Sequence, residues 1–187
     1  MKLLMKDIEQ GRMSQTDESV FEVGRNVATS EGAVVFENEL FQLIEYKPTT
    51  TKVHELPMLF VPPCINKYYI LDLQPDNSLV AHAVAQGHAV FLVSWRNAGP
   101  EQGNLGWDDY LEQGVMQAID VALAISGAAR ANTLGFCIGG TLLASALAVL
   151  AARGEDKAAS LTLLTTMLDF SDTGELGLMV SEQAVAA

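Results

Sequence analysis

The sequence predicts an α/β fold: a mostly parallel sheet with helices on both faces and a nucleophile elbow at Cys137. Three observations predict it. Short apolar runs alternate with longer helical patterns along the 187 residues. Several of those runs, such as Ala89 to Trp95, are apolar at consecutive positions, as strands covered on both faces are. Finally, Leu134-Gly135-Phe136-Cys137-Ile138-Gly139-Gly140 reads as strand, sharp turn and helix, with a thiol at the turn.

In order along the chain, residues 1–30 are polar and mixed and are expected to form a helix and loops on a larger body. Val34-Val35-Phe36 and Leu40 to Tyr46 are β-rich runs separated by Glu37-Asn38-Glu39, which predicts an antiparallel hairpin. Pro57 to Val61 is a short buried strand stopped by Pro62-Pro63. Asn77-Ser78 caps a helix with Leu79, Val80, Ala83 and Val84 on one face, ended by Gly87. After the strand Ala89 to Trp95 comes a loop, Arg96 to Gly106. Trp107 opens a long helix with Asp108 and Asp109 in its first turn, where acids suit the helix dipole. Leu111, Val115, Ile119, Ala122 and Ile125 keep helical spacing until Gly127. Ala131 to Phe136 and Ile138 to Leu150 form the elbow strand and helix, and Ala158 to Thr166 holds one more strand. The tail from Met167 to Ala187 has no core-forming strand, although Leu176, Leu178, Met179 and Val180 suit a helix.

Composition bounds the function. The chain is 49% hydrophobic and 18% charged, so it is globular rather than disordered. Its net charge of −12 argues against nucleic acid and anionic membranes as partners. No apolar stretch approaches the ~20 residues of a transmembrane segment. The start, Met1 to Lys6, is too short an apolar run for a signal peptide, and the expected location is cytoplasmic. Cys64 and Cys137 are far apart, and a structural disulfide is not expected. No metal-ligand spacing occurs, and no cofactor is implied.

Gly-x-Cys-x-Gly has the spacing of the Gly-x-Ser-x-Gly elbow with sulfur in place of oxygen. Gly135, Gly139 and Gly140 let strand and helix close around a strained residue. The helix N-terminus points its free N–H groups at the sulfur, which favours a thiolate and any oxyanion beside it. An inert buried cysteine is the competing reading, and the pentapeptide leaves both open. A cysteine nucleophile needs a base. His54, His82 and His88 all precede Cys137, whereas elbow folds place acid and histidine after the nucleophile. Asp169 and Asp172 follow Cys137 without a histidine. An oxyanion hole would use the N–H of Ile138 and a second N–H after an earlier strand, for which Ile65 is the candidate. A proline-terminated strand end with no role is the alternative, with Cys64 a small packing residue.

Together the motifs resemble those of polyhydroxyalkanoate synthases, the bacterial polyester polymerases. They are Phe21 to Asn26, Gly32 to Glu39, Val61 to Leu73, Val93-Ser94-Trp95-Arg96-Asn97, Trp107-Asp108-Asp109-Tyr110, Gly135 to Gly140, Leu163 to Thr166 and Asp169 to Asp172. Phe136 and Ile138 around the cysteine are similar to the class I enzymes, which favour 3-hydroxybutyryl groups. The resemblance implies an α/β-hydrolase core and a thiolate that takes a 3-hydroxyacyl group from CoA and passes it to a growing polyester. It implies Cys137 as nucleophile, Ile138 and Ile65 as oxyanion N–H donors, and Asn66 lining the site. It also implies a homodimer of the intact protein, working at polyester granules.

The family's catalytic Asp and His lie well downstream of its elbow, and its members carry a longer N-terminal domain. The chain is therefore expected to be a central fragment, inactive and prone to aggregate alone. Its expected parts are an N-terminal segment (1–31), a partial α/β-hydrolase core (32–166) and the start of a cap region or a disordered tail (167–187). Two other readings use the same residues: a non-catalytic scaffold that binds granules or partners, and a thiol hydrolase or depolymerase.

Overall fold

The computed structural model describes residues 17–181 together with Met5, Asp7, Ile8, Gly11 and Gln183. Of the N-terminal segment, residues 17–30 form a 3₁₀ turn, Glu18–Val20, followed by loop, while the rest of the expected helix and the end of the tail lie largely outside the described residues. The centre is a six-stranded sheet. Its strands are β1 (Gly32–Glu37), β2 (Phe41–Tyr46), β3 (Met58–Val61), β6 (Val90–Trp95), β7 (Ala131–Phe136) and β8 (Ala158–Leu164). A separate small hairpin holds β4 (Asp72–Gln74) and β5 (Asn77–Ser78). The sheet order is β1-β2-β6-β3-β7-β8. β1, β2 and β6 pair antiparallel; β6, β3, β7 and β8 pair parallel.

The helices cover the sheet as the apolar patterns require. α1 (Leu79–Ala85) packs Val80, Ala83 and Val84 on Phe60, Val90, Leu92 and Leu134. Ser78 caps it, its Oγ accepting from Ala81 N–H at 2.8 Å. On the opposite face lie α2 (107–126) and α3 (Ile138–Ala152). Their Leu111, Val115, Ile119, Leu142, Leu143 and Ala146 pack on Leu43, Leu59, Val61, Phe91 and Val93. Gly127 ends α2 in a left-handed conformation, its N–H bonded to Leu123 O.

Three features depart from the simple periodic pattern. The middle of α2, Tyr110–Met116, is π-helical. The cover over β8 is thin: Leu161 is 43% exposed, and Leu164 is exposed beside it. The tail holds a 3₁₀ segment, Gly174–Met179, rather than an α-helix, with Leu178 and Met179 exposed on it. Asp72 is fully buried between two apolar neighbours. It accepts from Ser30 N–H (3.2 Å), Ser30 Oγ (2.7 Å) and Ser78 Oγ (2.6 Å), which satisfies the carboxylate and ties segment 28–30 to the hairpin. Among the described residues no helix is long and apolar enough to cross a membrane, and no group of three His, Cys, Asp or Glu side chains could hold a metal.

Candidate active site at the Cys137 elbow

The parallel strands place their carboxyl ends along one sheet edge. From β3 the chain passes through α1, on one face, to β6 on one side of β3. It then passes through α2, on the other face, to β7 on the other side. The connections thus diverge at β3, and the crevice beyond its carboxyl end is where open α/β sheets bind ligands. Cys137, directly after β7, and the loop from Pro62 to Lys67, directly after β3, both lie there. Val61 pairs with Gly135 in the last register position between the two strands.

Cys137 adopts φ 53° and ψ −128°, a conformation that costs a non-glycine residue on the order of 1–3 kcal/mol. The surroundings hold it there. Its N–H donates to Leu164 O at 2.9 Å, at the end of β8. Its carbonyl accepts from Gly140 N–H (2.9 Å) and Thr141 N–H (3.3 Å), the first turn of α3. The thiol is exposed. The strained backbone and the exposure are features that an elbow nucleophile has and a buried packing cysteine lacks.

The glycines around it are sites of close approach. A Cβ at Gly135 would strike Gly140 Cα, and one at Gly139 would strike the carbonyl oxygens of Val61 and Pro62. One at Gly140 would strike the side chain of Thr166. Strand β7, helix α3 and the end of β3 thus meet backbone to backbone at the elbow.

Ile138 is the first residue of α3, and its N–H has no intrahelical acceptor. Across the crevice, Asn66 N–H donates to Pro63 O at 3.1 Å and closes a turn over Cys64 and Ile65. Ile65 is 81% exposed, and Asn66 is exposed beside it. Cys64 is half-buried against the core on the α2 face, and burial pushes its thiol pKa up. The structure therefore brings Cys137, Ile138, Ile65 and Asn66 to one edge.

It does not bring the histidines there. His88 precedes β6, and His54 donates its backbone N–H to Gly87 O at 2.8 Å, its ring tilted against that of His88 with centroids 4.7 Å apart. Both therefore lie at the amino edge of the sheet, a strand length of roughly 20 Å from the carboxyl edge. His82 is exposed in the last turn of α1. Asp169 and Asp172 sit in the exposed loop after β8. The Asp169 carboxylate accepts from Ser171 N–H, which holds its pKa below the usual value. The Asp172 carboxylate accepts from Gly174 N–H at 2.9 Å.

Sequence reasoning missed two supports of this site. Trp95, at the end of β6, donates Nε1–H to Pro62 O at 2.8 Å inside the core. Thr141 Oγ1 donates to Met167 O at 2.8 Å and ties the segment after β8 to α3. The first signal was present in the motif Val93 to Asn97, which no predicted role had absorbed.

Comparison with known proteins agrees with this geometry. Residues 1–83 match the family described as poly-beta-hydroxybutyrate polymerase (PhaC) N-terminus, and residues 57–183 match the alpha/beta hydrolase fold. The chain is 65% identical over 179 residues to the poly(3-hydroxyalkanoate) polymerase subunit PhaC of Cupriavidus necator, covering 96% of this chain and 30% of that protein. It is 42% identical to the poly(3-hydroxyalkanoate) polymerase of Methylorubrum extorquens, covering 100% of this chain and 32% of that one. The chain thus spans about a third of the length of these relatives. Among solved structures, a putative esterase from Staphylococcus aureus superposes with a TM-score of 0.57 at 16% identity, covering 98% of this chain and 60% of that one. An ester-hydrolase from the metagenome of Lake Arreo does so with 0.58 at 19%, covering 96% and 62%. At such identities these two speak to the fold alone. The chain belongs to the alpha/beta-hydrolase fold family, and over nearly its whole length its sequence is similar to the poly(3-hydroxyalkanoate) polymerases.

Proposed function

We propose that this chain supplies the nucleophile and the oxyanion hole of a polyester synthase. The observation that carries the reading is Cys137, held at positive φ at the carboxyl edge with Ile138 and the Ile65 turn beside it. The Cys137 thiolate attacks the thioester carbonyl of a 3-hydroxyacyl-CoA, and the carbonyl electrons move onto oxygen. Ile138 N–H and Ile65 N–H receive that oxyanion, a role in which each donor contributes on the order of 10²–10³ in rate. The tetrahedral adduct collapses, the C–S bond to CoA breaks, and CoA leaves as a thiolate that is then protonated. The acyl group stays on Cys137 as a thioester until the 3-hydroxyl of another unit attacks it. That step forms the ester bond, breaks the acyl–sulfur bond, passes the hydroxyl proton to the base, returns the sulfur as thiolate and lengthens the polyester. Asn66 lines the acyl site. Phe136 and Ile138 beside the thiol resemble the class I synthases, and that resemblance supports a short acyl group such as 3-hydroxybutyryl.

The base belongs to the same proposal. All three histidines of the chain lie away from Cys137, so the imidazole that takes the thiol proton comes from outside these residues. The chain alone is then inactive, and the working enzyme is the longer homodimeric polymerase at a polyester granule.

The test is a chimera in which residues 1–187 replace the matching segment of the Cupriavidus necator polymerase. Release of CoA from 3-hydroxybutyryl-CoA with formation of polymer, lost in Cys137→Ala, is the expected result. Release of free 3-hydroxybutyrate without polymer would instead make the site a thiol hydrolase. Granule binding without any CoA release would make it a scaffold.

A further inference from the structure

The loop that carries Ile65 is poorly secured by the sheet. Val61 is its last residue paired to β7. Pro62 and Pro63 have no N–H, so they donate no hydrogen bond to a neighbouring strand. Pro62 is nevertheless gripped from two sides. Gly139 presses against its carbonyl from α3, and the buried indole N–H of Trp95 donates to that carbonyl at 2.8 Å.

Trp95 is itself fixed. Phe41 lies edge-on at 6.1 Å and Tyr110 tilted at 5.6 Å between ring centroids. The π-helical stretch of α2 brings Gly114 against the far side of the ring, where a Cβ would lie 2.9 Å from Cη2 and Cζ3. π-Helical turns are uncommon and occur frequently at functional sites. A second, exposed link joins the same two segments, Lys67 Nζ donating to Asn97 Oδ1 at 2.8 Å. The motifs Val93 to Asn97 and Trp107 to Tyr110 thus converge on the loop that carries the second oxyanion donor.

The geometry points to Trp95 as a positioning residue for the oxyanion hole, holding the Ile65 turn in register with Cys137 through Pro62, with Gly114 seating its ring. Trp95 has no role in the attack of the sulfur. It sets where the second N–H stands when the carbonyl oxygen becomes negative. The inference rests on the synthase reading above, and its test separates the two.

In the chimera, Trp95→Phe keeps a ring in the cavity and removes the N–H. The expected result is a drop in kcat for CoA release of about 10- to 100-fold, short of deleting a donor outright, with KM within about twofold. Alkylation of Cys137 by iodoacetamide, followed by peptide mass, forms no oxyanion and is expected to proceed at the unaltered rate. Gly114→Ala leaves the N–H in place but displaces the ring, and it should show the same split. It decides the matter alone should Trp95→Phe fail to fold. Full acyl-transfer activity in the folded variant overturns the inference. So does an equal loss of alkylation and acyl transfer, which marks general disorder of the site. A parent chimera that releases no CoA overturns the synthase reading instead.

Discussion

Gly139, the second residue of α3, stands so close to Pro62 that a Cβ there would collide with the Pro62 and Val61 carbonyl oxygens. The contact joins the elbow helix to the loop of the proposed second oxyanion donor, and both partners are backbone. No side chain can move aside. Gly139→Ala is expected to destabilise the protein by about 3 kcal/mol, the upper end for overpacking, and to abolish acyl transfer. Urea unfolding of the chimera and its CoA release check the two parts.

Gly140 offers a contrast. Its clash is with the Thr166 side chain, which a second substitution can remove. Gly140→Ala alone is expected to cost about 1–3 kcal/mol. Adding Thr166→Gly should recover part of that, with a coupling of about 1 kcal/mol in a double-mutant cycle. Simple additivity of the two losses would contradict the packing described.

Asp72 is buried and accepts three hydrogen bonds from Ser30 and Ser78. Asp72→Ala leaves those donors without their acceptor and is expected to cost about 3 kcal/mol. Ser30→Ala removes one bond and should cost about 1.5 kcal/mol. Because Ala28 N–H also donates to Asp72 O at 2.9 Å, amide exchange should rise in residues 28–30 of the Asp72 variant before it rises in the sheet.

His88 supplies a pH dependence. Its pKa lies below the ordinary imidazole value because it is desolvated and faces His54, and its Nδ1 is buried without a hydrogen-bond partner among the described residues. The folded state thus prefers the neutral ring. Stability is unaffected by His88 well above the unfolded pKa of about 6.5. It falls as pH drops through that value toward the depressed folded pKa, because the unfolded chain binds the proton first. The urea midpoint should therefore decrease between pH 7.5 and pH 5.5, and His88→Gln should flatten the change. An unchanged slope in the variant would show that other groups govern it.

The core of the fold was legible because its signals are local. Consecutive apolar residues gave β3 and β6, Ser78 and Gly127 marked helix ends, and the glycines around Cys137 marked the elbow with β7 before it. What was not legible depends on distant partners. Trp95 reads as the last apolar residue of a strand, and nothing nearby announces its bond to Pro62, 33 residues away. Asp72 reads as a polar interruption between two leucines until Ser30 arrives from 42 positions earlier. The π-helical turn at Tyr110–Met116 keeps Leu111 and Val115 at a spacing that an α-helix also allows. The exposure of Leu161 and Leu164 on β8 depends on what covers the sheet, and their own apolar run says nothing of that.

In the proposed reaction Cys137 carries the acyl group. The most direct test is to incubate the chimera briefly with 3-hydroxybutyryl-CoA, quench in acid and measure the mass of the peptide containing Cys137. A 3-hydroxybutyryl or oligomeric adduct on that peptide, absent in Cys137→Ala, is the expected result. CoA release at the parent rate by Cys137→Ala, or release with the adduct on another residue, would contradict it.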